Sequence, residues 1–199
     1  LDISSADVSA LYPSIDLKRG MDAVTNTLKE FKHLVPAEIP HATIMRVLEL
    51  VLHCNIIMYD NRFWQQVIGT AMGTPVAVVF AVIFMYHLEK DLVNNFKRRG
   101  LLLRYRRYID DILALFKDKA SRELFWQRFN ALDPLIKVTN EGGDSVPFMD
   151  LVIYKGPSMR SRRTLDTQLY QKPINRYLYL PPSSFHTKNA FAPATPTNG

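Results

Sequence analysis

Hydrophobic and polar positions along this chain follow helical and strand periods in turn. Ile3 to Val8 is a short apolar run closing on an acid, which predicts a buried strand. From Leu17 to Leu34 the apolar positions Leu17, Met21, Val24, Leu28 and Phe31 keep helical spacing, and Pro36 and Pro40 close the segment. A second helix is predicted over His41–His53 through Ile44, Val47, Leu48 and Val51. Ile56–Tyr59 and Phe63–Val67 flank the turn pair Asp60-Asn61 and read as a β-hairpin. Gly69 to Gly73 is a flexible loop, and Pro75 suits the first turn of the long helix after it. That helix loses its apolar character after Leu92 and ends in Lys97-Arg98-Arg99-Gly100, cations and Gly standing where a C-terminus favours them. The strand-like runs Leu101–Tyr108 and Ile112–Phe116 meet at Asp110-Asp111, and Lys119–Leu132 predicts a further helix with Leu124, Phe125 and Phe129 facing inward. Short strands separated by Gly, Pro and charge are expected from Ile136 to Tyr179, then a poorly ordered Pro-, Ser- and Thr-rich end. This succession predicts an α+β domain with helices packed on one face of an antiparallel sheet.

Composition narrows the field only slightly. At 199 residues the chain can bury one domain, and 47% hydrophobic against 22% charged residues is ordinary for a globular fold. A formal charge of +6 favours polyanionic partners, nucleic acid or anionic membrane. With Cys54 as the single cysteine, no internal disulfide and no cysteine-rich zinc site can form. The apolar run from Pro75 to Tyr86 falls short of the roughly 20 residues a membrane span needs, and His87, Glu89, Lys90 and Asp91 follow it, so a buried helix is expected. The chain enters a strand at once, with no initiator Met and no signal-type leader, and is read as a piece whose beginning lies upstream.

The chemistry concentrates in three acids. Asp110 and Asp111 are adjacent at a hairpin tip between apolar strands, where like charges repel and are partly desolvated. A solvated turn pair is the ordinary reading of Asp-Asp. The flanks Tyr108-Ile109 and Ile112-Leu113-Ala114-Leu115 speak against it here, as do Arg104, Arg106 and Arg107 on the preceding strand. A divalent cation is the natural counter-charge, because Mg²⁺ takes carboxylate oxygens and keeps positions open for phosphates. Asp7, at the end of another strand, would complete a two-metal site with ions about 3.5–4 Å apart.

These residues carry a resemblance. Tyr108-Ile109-Asp110-Asp111 resembles the Tyr-x-Asp-Asp motif of reverse transcriptases, and Asp7-Val8-Ser9-Ala10-Leu11-Tyr12 resembles their first catalytic motif, an aromatic five positions after the metal-binding Asp. Gln65-Gln66 with Gly69-Thr70-Ala71-Met72-Gly73-Thr74-Pro75 resembles the second motif in the form Gln-x-x-Gly-x-x-Met-Gly-x-Pro, closer to Penelope-like elements than to retroviruses or group II introns. Pro147-Phe148-Met149-Asp150-Leu151 is similar to the segment after their catalytic hairpin, with Asp150 read as structural. Tyr170-Gln171-Lys172-Pro173, Tyr179-Leu180 and Ser184-Phe185-His186 are similar to their Tyr-x-Lys-Pro and Ser-x-His stretches. The chain departs from the pattern at Ala77-Val78 and Ala81-Val82, where such elements carry Ser-Pro and Ala-Asn, and at Thr187, where Pro often follows the His.

The resemblance implies the palm of a right-hand polymerase, with palm over residues 1–155, a post-palm hairpin and the start of the thumb or primer grip over 156–186, a tail over 187–199, and fingers missing. It implies RNA-directed DNA synthesis from dNTP on a DNA primer and RNA template, with two Mg²⁺ ions or Mn²⁺ in their place, no membrane, and a nuclear location. Asp7, Asp110 and Asp111 are carried over as catalytic, and with Val8 as metal ligands. Tyr12, Gln66, Gly69, Gly73 and Pro75 are carried over as nucleotide-binding, with Tyr12 the steric gate beneath the sugar. Arg107, Tyr108 and Lys172 are carried over to the nucleic acid. Two other readings stay open. A family B-like DNA polymerase shares a Ser-Leu-Tyr-Pro-Ser motif with Ala10-Leu11-Tyr12-Pro13-Ser14, but its Asp-Thr-Asp motif is absent from this chain. A decayed or domesticated palm would bind nucleic acid or a protein partner without synthesis.

Overall fold

Strand β1 (Asp2–Ser9) is the axis of the molecule. The structure, a computed structural model, describes residues 1–36, 38–171 and Phe185. Lys172, Pro173, Tyr179, Leu180, Ser184, His186 and the tail 187–199 lie outside the described residues. After β1 come the single turn α1 (Leu11–Ser14), α2 (Leu17–Glu30), α3 (His41–His53) and the hairpin β2 (Ile56–Tyr59) with β3 (Arg62–Gln65). Helix α4 (Pro75–Arg98) leads into β4 (Leu102–Tyr108) and β5 (Asp111–Phe116), then α5 (Lys119–Phe129) and β6 (Lys137–Gly143). Strands β7 (Ser145–Phe148) and β8 (Leu151–Tyr154), the short helix α6 (Pro157–Arg162) and β9 (Asp166–Leu169) complete the order.

Four strands form an antiparallel sheet in the order β4-β5-β1-β6. Alternation along the strands divides its two faces. Ala6 and Val8 of β1, with Ile112, Ala114 and Phe116 of β5, turn into the core beneath α4 and α5. On that side Trp126 donates its indole N–H to Ser4 at 3.0 Å, and Arg122 meets Asp2 at 3.2 Å. Phe125 stands edge-on to Phe96 at 5.1 Å and to Trp126 at 4.9 Å, locking α4 and α5 together. Helix α2 lies against α4 at Gly20, where a side chain would collide with the ring of Phe80. The opposite face of the sheet carries Asp7 and Asp111, and the second antiparallel sheet, β7-β8-β9, packs beside it. The fold is therefore α+β, with helices on one sheet face.

Three local expectations shift. The helix from Leu17 stops at Glu30 because Phe31 leaves helical geometry (φ −109°, ψ 31°), and Lys32–Leu34 continue as a turn of 3-10 helix. The helix expected to reach Leu132 stops at Phe129, because the Asn130 side chain pairs with the backbone of β6, accepting from Val138 N–H at 2.7 Å and donating to its carbonyl at 3.1 Å. Helix α6 adds to the expected succession of short strands, and β9 pairs with β8. Among the described residues no helix is long and apolar enough to cross a membrane.

Candidate active site

Asp7 and Asp111 are register partners across β1 and β5. The next pair outward is tied by a hydrogen bond, Val8 N–H donating to the Asp110 carbonyl at 3.2 Å. Antiparallel pairs alternate between bonded and non-bonded types, so Asp7 and Asp111 occupy the non-bonded type, in which side chains approach closest. Like charges in that position destabilise a sheet. Burial pushes the Asp7 carboxyl above the ordinary range and Asp110 adds to the shift; burial does the same to Asp111, with Asp110 and then Asp7 adding. Asp7 thus meets the Asp110-Asp111 pair, remote from it in sequence, at one end of the sheet.

The tip that presents Asp110 is a two-residue turn between Tyr108 and Asp111. Its first residue, Ile109, has φ 55°, a left-handed conformation that glycine favours and a β-branched side chain resists. Tyr12, on α1, feels the same charge: burial raises its hydroxyl pKa first, then Asp110 and Tyr108. Tyr108 is exposed beside the tip. A single cleft of about 670 Å³ takes in Asp7 and Asp111 from the four-stranded sheet, Glu141 from β6, and Phe148, Met149 and Asp150 from the β7–β8 turn. Asp150 is exposed there, and its carbonyl accepts from Tyr170 N–H at 2.8 Å.

The loop between β3 and α4 reaches this region through its backbone. Gly69 N–H donates to the Ile15 carbonyl at 3.1 Å and Thr70 N–H to the Tyr12 carbonyl at 2.9 Å. Gly69 has φ +74°, and a Cβ there would stand 2.6 Å from the Tyr12 carbonyl oxygen, so only glycine fits. Gly69 and Tyr12 are accordingly neighbours. Gly73, also at positive φ, is open to solvent, and Pro75 begins α4 behind the Thr74 cap, whose hydroxyl accepts from Ala77 N–H at 3.2 Å. Gln66 turns its amide onto the carbonyl of Ile68 at 2.9 Å. Among the described residues, no hydrogen bond ties Gln66, Gly73 or Pro75 to the acids. Lys172 lies outside the described residues.

The resemblance implies a nucleic-acid contact for Arg107, whereas its side chain is 8% exposed and bonded through all three of its nitrogens to other groups of the chain. Its Nε donates to Glu89 at 2.9 and 3.0 Å, one terminal nitrogen donates to the Ile109 carbonyl at 3.0 Å, and the other to the Val82 carbonyl at 3.3 Å. Tyr105 donates to the same Glu89 at 2.7 Å. Strand alternation turns Arg107 and Tyr105 toward α4, away from solvent. In the sequence Glu89 reads as one of the charges closing the apolar run. The usable signal was its spacing, since Ala81, Met85, Glu89 and Val93 form one buried helical stripe.

Which group could occupy the acid cluster follows from its donors. Carboxylate oxygens suit a hard divalent cation. Val8 stands beside the tip through its N–H, which donates to the Asp110 carbonyl at 3.2 Å. Among the described residues no group of three or more His, Cys, Asp or Glu side chains is placed to hold a metal ion. The donors are of the right kind on an open face, and a cation would offset the repulsion among them.

No family model matches the chain, and no curated protein matches it by sequence. Solved structures do. An apo telomerase from Candida tropicalis, truncated from its C-terminal domain, aligns with TM-score 0.64 at 14% identity over 85% of this chain and 35% of its own. Telomerase from Candida albicans, in complex with the TWJ fragment of telomeric RNA, aligns with TM-score 0.62 at 12% identity over 77% and 30%. A Candida tropicalis telomerase with the same RNA fragment gives 0.58 at 12% over 90% and 32%. The chain spans about a third of those telomerase chains. Over the aligned part the chain shares the fold of those telomerase chains.

Proposed function

We propose that this chain is the palm of an RNA-directed DNA polymerase of Penelope-like character, transferring nucleotides from dNTP to a DNA primer 3′-hydroxyl on an RNA template. The observation that carries the reading is the direct pairing of Asp7 with Asp111 beside Asp110, on a fold otherwise seen in telomerase. Asp7, Asp110, Asp111 and the Val8 carbonyl would hold Mg²⁺, or Mn²⁺ in its place. The chemistry supplied there is Lewis acidity, which favours a deprotonated primer hydroxyl and offsets the charge of a leaving pyrophosphate.

The chain's own residues do the positioning. Tyr12 sets a planar wall near Asp110, where a ribose 2′-oxygen would find no room. The Gly69 backbone, fastened to the Tyr12 segment, keeps that ring and the nucleotide loop in fixed relation. Exposed Tyr108 would meet the primer terminus. Gln66, Gly73 and Pro75 line the loop for the incoming nucleotide, and Lys172 belongs to the primer side through its motif. A nuclear site of action is part of the same proposal.

Primer extension by the full-length protein is the test, with DNA primer, RNA template, dNTPs and Mg²⁺ or Mn²⁺. Asp110→Ala is expected to lower the rate by about a hundred- to a thousandfold, the scale of losing an electrostatic group at the reacting centre. Synthesis persisting in that variant refutes the site. Nucleic-acid binding without any extension by the unmutated protein favours the binding-only palm. Residues 1–199 alone are expected to be inactive, because substrate positioning draws on fingers and thumb.

A further inference from the structure

The turn that presents Asp110 is held in an unfavourable conformation, and the structure shows what holds it. Ile109 has φ 55° at a position where glycine is usual, a conformation that persists only when neighbours over-determine it. The Ile109 carbonyl accepts from Arg107 at 3.0 Å. Arg107 is itself fixed on both sides: its Nε rests on Glu89, and its other terminal nitrogen reaches the Val82 carbonyl of α4. Glu89 and Arg107 side chains are each 8% exposed, and Tyr105 takes a second bond to the Glu89 carboxylate. One guanidinium therefore links a buried helical stripe, an edge strand and the catalytic turn.

We propose that Arg107, seated on Glu89 and Tyr105, is a positioning residue that sets the Ile109-Asp110 turn and so aims Asp110 at the metal site; this rests on the polymerase reading above. A planar fork is needed. An ammonium can satisfy Glu89, but it cannot also reach two carbonyls in divergent directions. The clamp couples α4, whose preceding loop is fastened to Tyr12, to the acid pair, so both halves of the site are set by one helix.

Simple loss of Arg107 strands a buried Glu89 and risks unfolding. The informative variant is the double change Arg107→Met with Glu89→Gln, which removes both charges and keeps the volume. In the full-length protein it is expected to melt near the unmutated value, while kcat for dNTP incorporation falls roughly a hundredfold with KM changed less than about twofold, as misplacement of a reacting group predicts. The Val8 amide, which donates to the Asp110 carbonyl, is expected to exchange with solvent about tenfold faster. Arg107→Lys keeps the ion pair, serves if the double variant does not fold, and is expected to give the same split. A merely structural clamp predicts activity that follows melting temperature, so wild-type kcat and unchanged Val8 exchange in either folded variant overturns the proposal. Exchange is read without turnover: faster Val8 exchange in a protein that makes no DNA upholds the clamp and removes the polymerase reading, and unchanged exchange overturns the clamp.

Discussion

Asp7 faces Asp111 across a strand pair, and neither takes part in an ion pair among the described residues. Their carboxyl pKa values are raised above the reference value of 3.8 by burial first and then by the charge of Asp110, with Asp7 adding to the shift of Asp111. A raised folded pKa means the native state binds the proton more tightly than the unfolded chain. That contribution is fully present below 3.8 and is lost as pH climbs through the raised values. The chelator-treated protein is therefore expected to lose stability from this pair between mildly acidic and neutral pH. Asp7→Asn should flatten that dependence and stabilise the metal-free protein at pH 7 by roughly 0.2–1 kcal/mol, the range left after solvent screening of exposed charges. Urea titrations in EDTA at pH 4 and pH 7 measure this. An Asp7→Asn protein less stable than its parent at neutral pH would show that the carboxylate is held by attraction, not strained by repulsion.

Elements bring these residues together through a few backbone-level fits, of which Gly69 is the tightest. Alanine there must adopt positive φ and push into the Tyr12–Pro13 backbone. Left-handed strain and overpacking combined predict a loss of about 2–4 kcal/mol, read as a fall in the denaturation midpoint; an unchanged midpoint would mean the loop is free of the Tyr12 segment. Gly73 lacks any such crowding, so Gly73→Ala meets only the conformational cost. The sequence made much of this legible. Long periodic segments such as His41–His53 and the helix from Pro75 stand at the expected boundaries, because apolar spacing and the Thr74-Pro75 start are local information. Tertiary facts were not legible in that way. Asn130 ends α5 early because it serves a strand eight positions on, and α6 is too short for periodicity to register. Arg107 was grouped with Arg104 and Arg106 as a basic flank, although period-two alternation puts it on the other face, toward a helix stripe whose one acid is Glu89.

The molecule's positive charge also has a direction once Arg107 is removed from the tally. Arg104 and Arg106 pair in register with Leu115 and Leu113 of β5, on the face that carries Asp111, and β4 is an edge strand. Neither arginine makes an ion pair among the described residues; each donates only to a carbonyl of the residue before it. At the end of α4, by contrast, Arg99 lies over the ring of Phe96 at 5.8 Å and caps the helix C-terminus, a structural use of charge. In the proposed function the sheet edge would be the track for a phosphate backbone approaching the acids. Each side chain that neutralises a phosphate contributes about one unit to the slope of log affinity against log salt. Changing Arg104 and Arg106 together to Gln should lower the slope for primer–template by about two, weakening all sequences alike. Changing Arg98 and Arg99 to Gln should leave the slope where it was. Anisotropy titrations of the full-length protein across a salt series distinguish the two; an unmoved slope in the Arg104/Arg106 variant would place the nucleic acid on another surface and leave the open face of the sheet without its substrate.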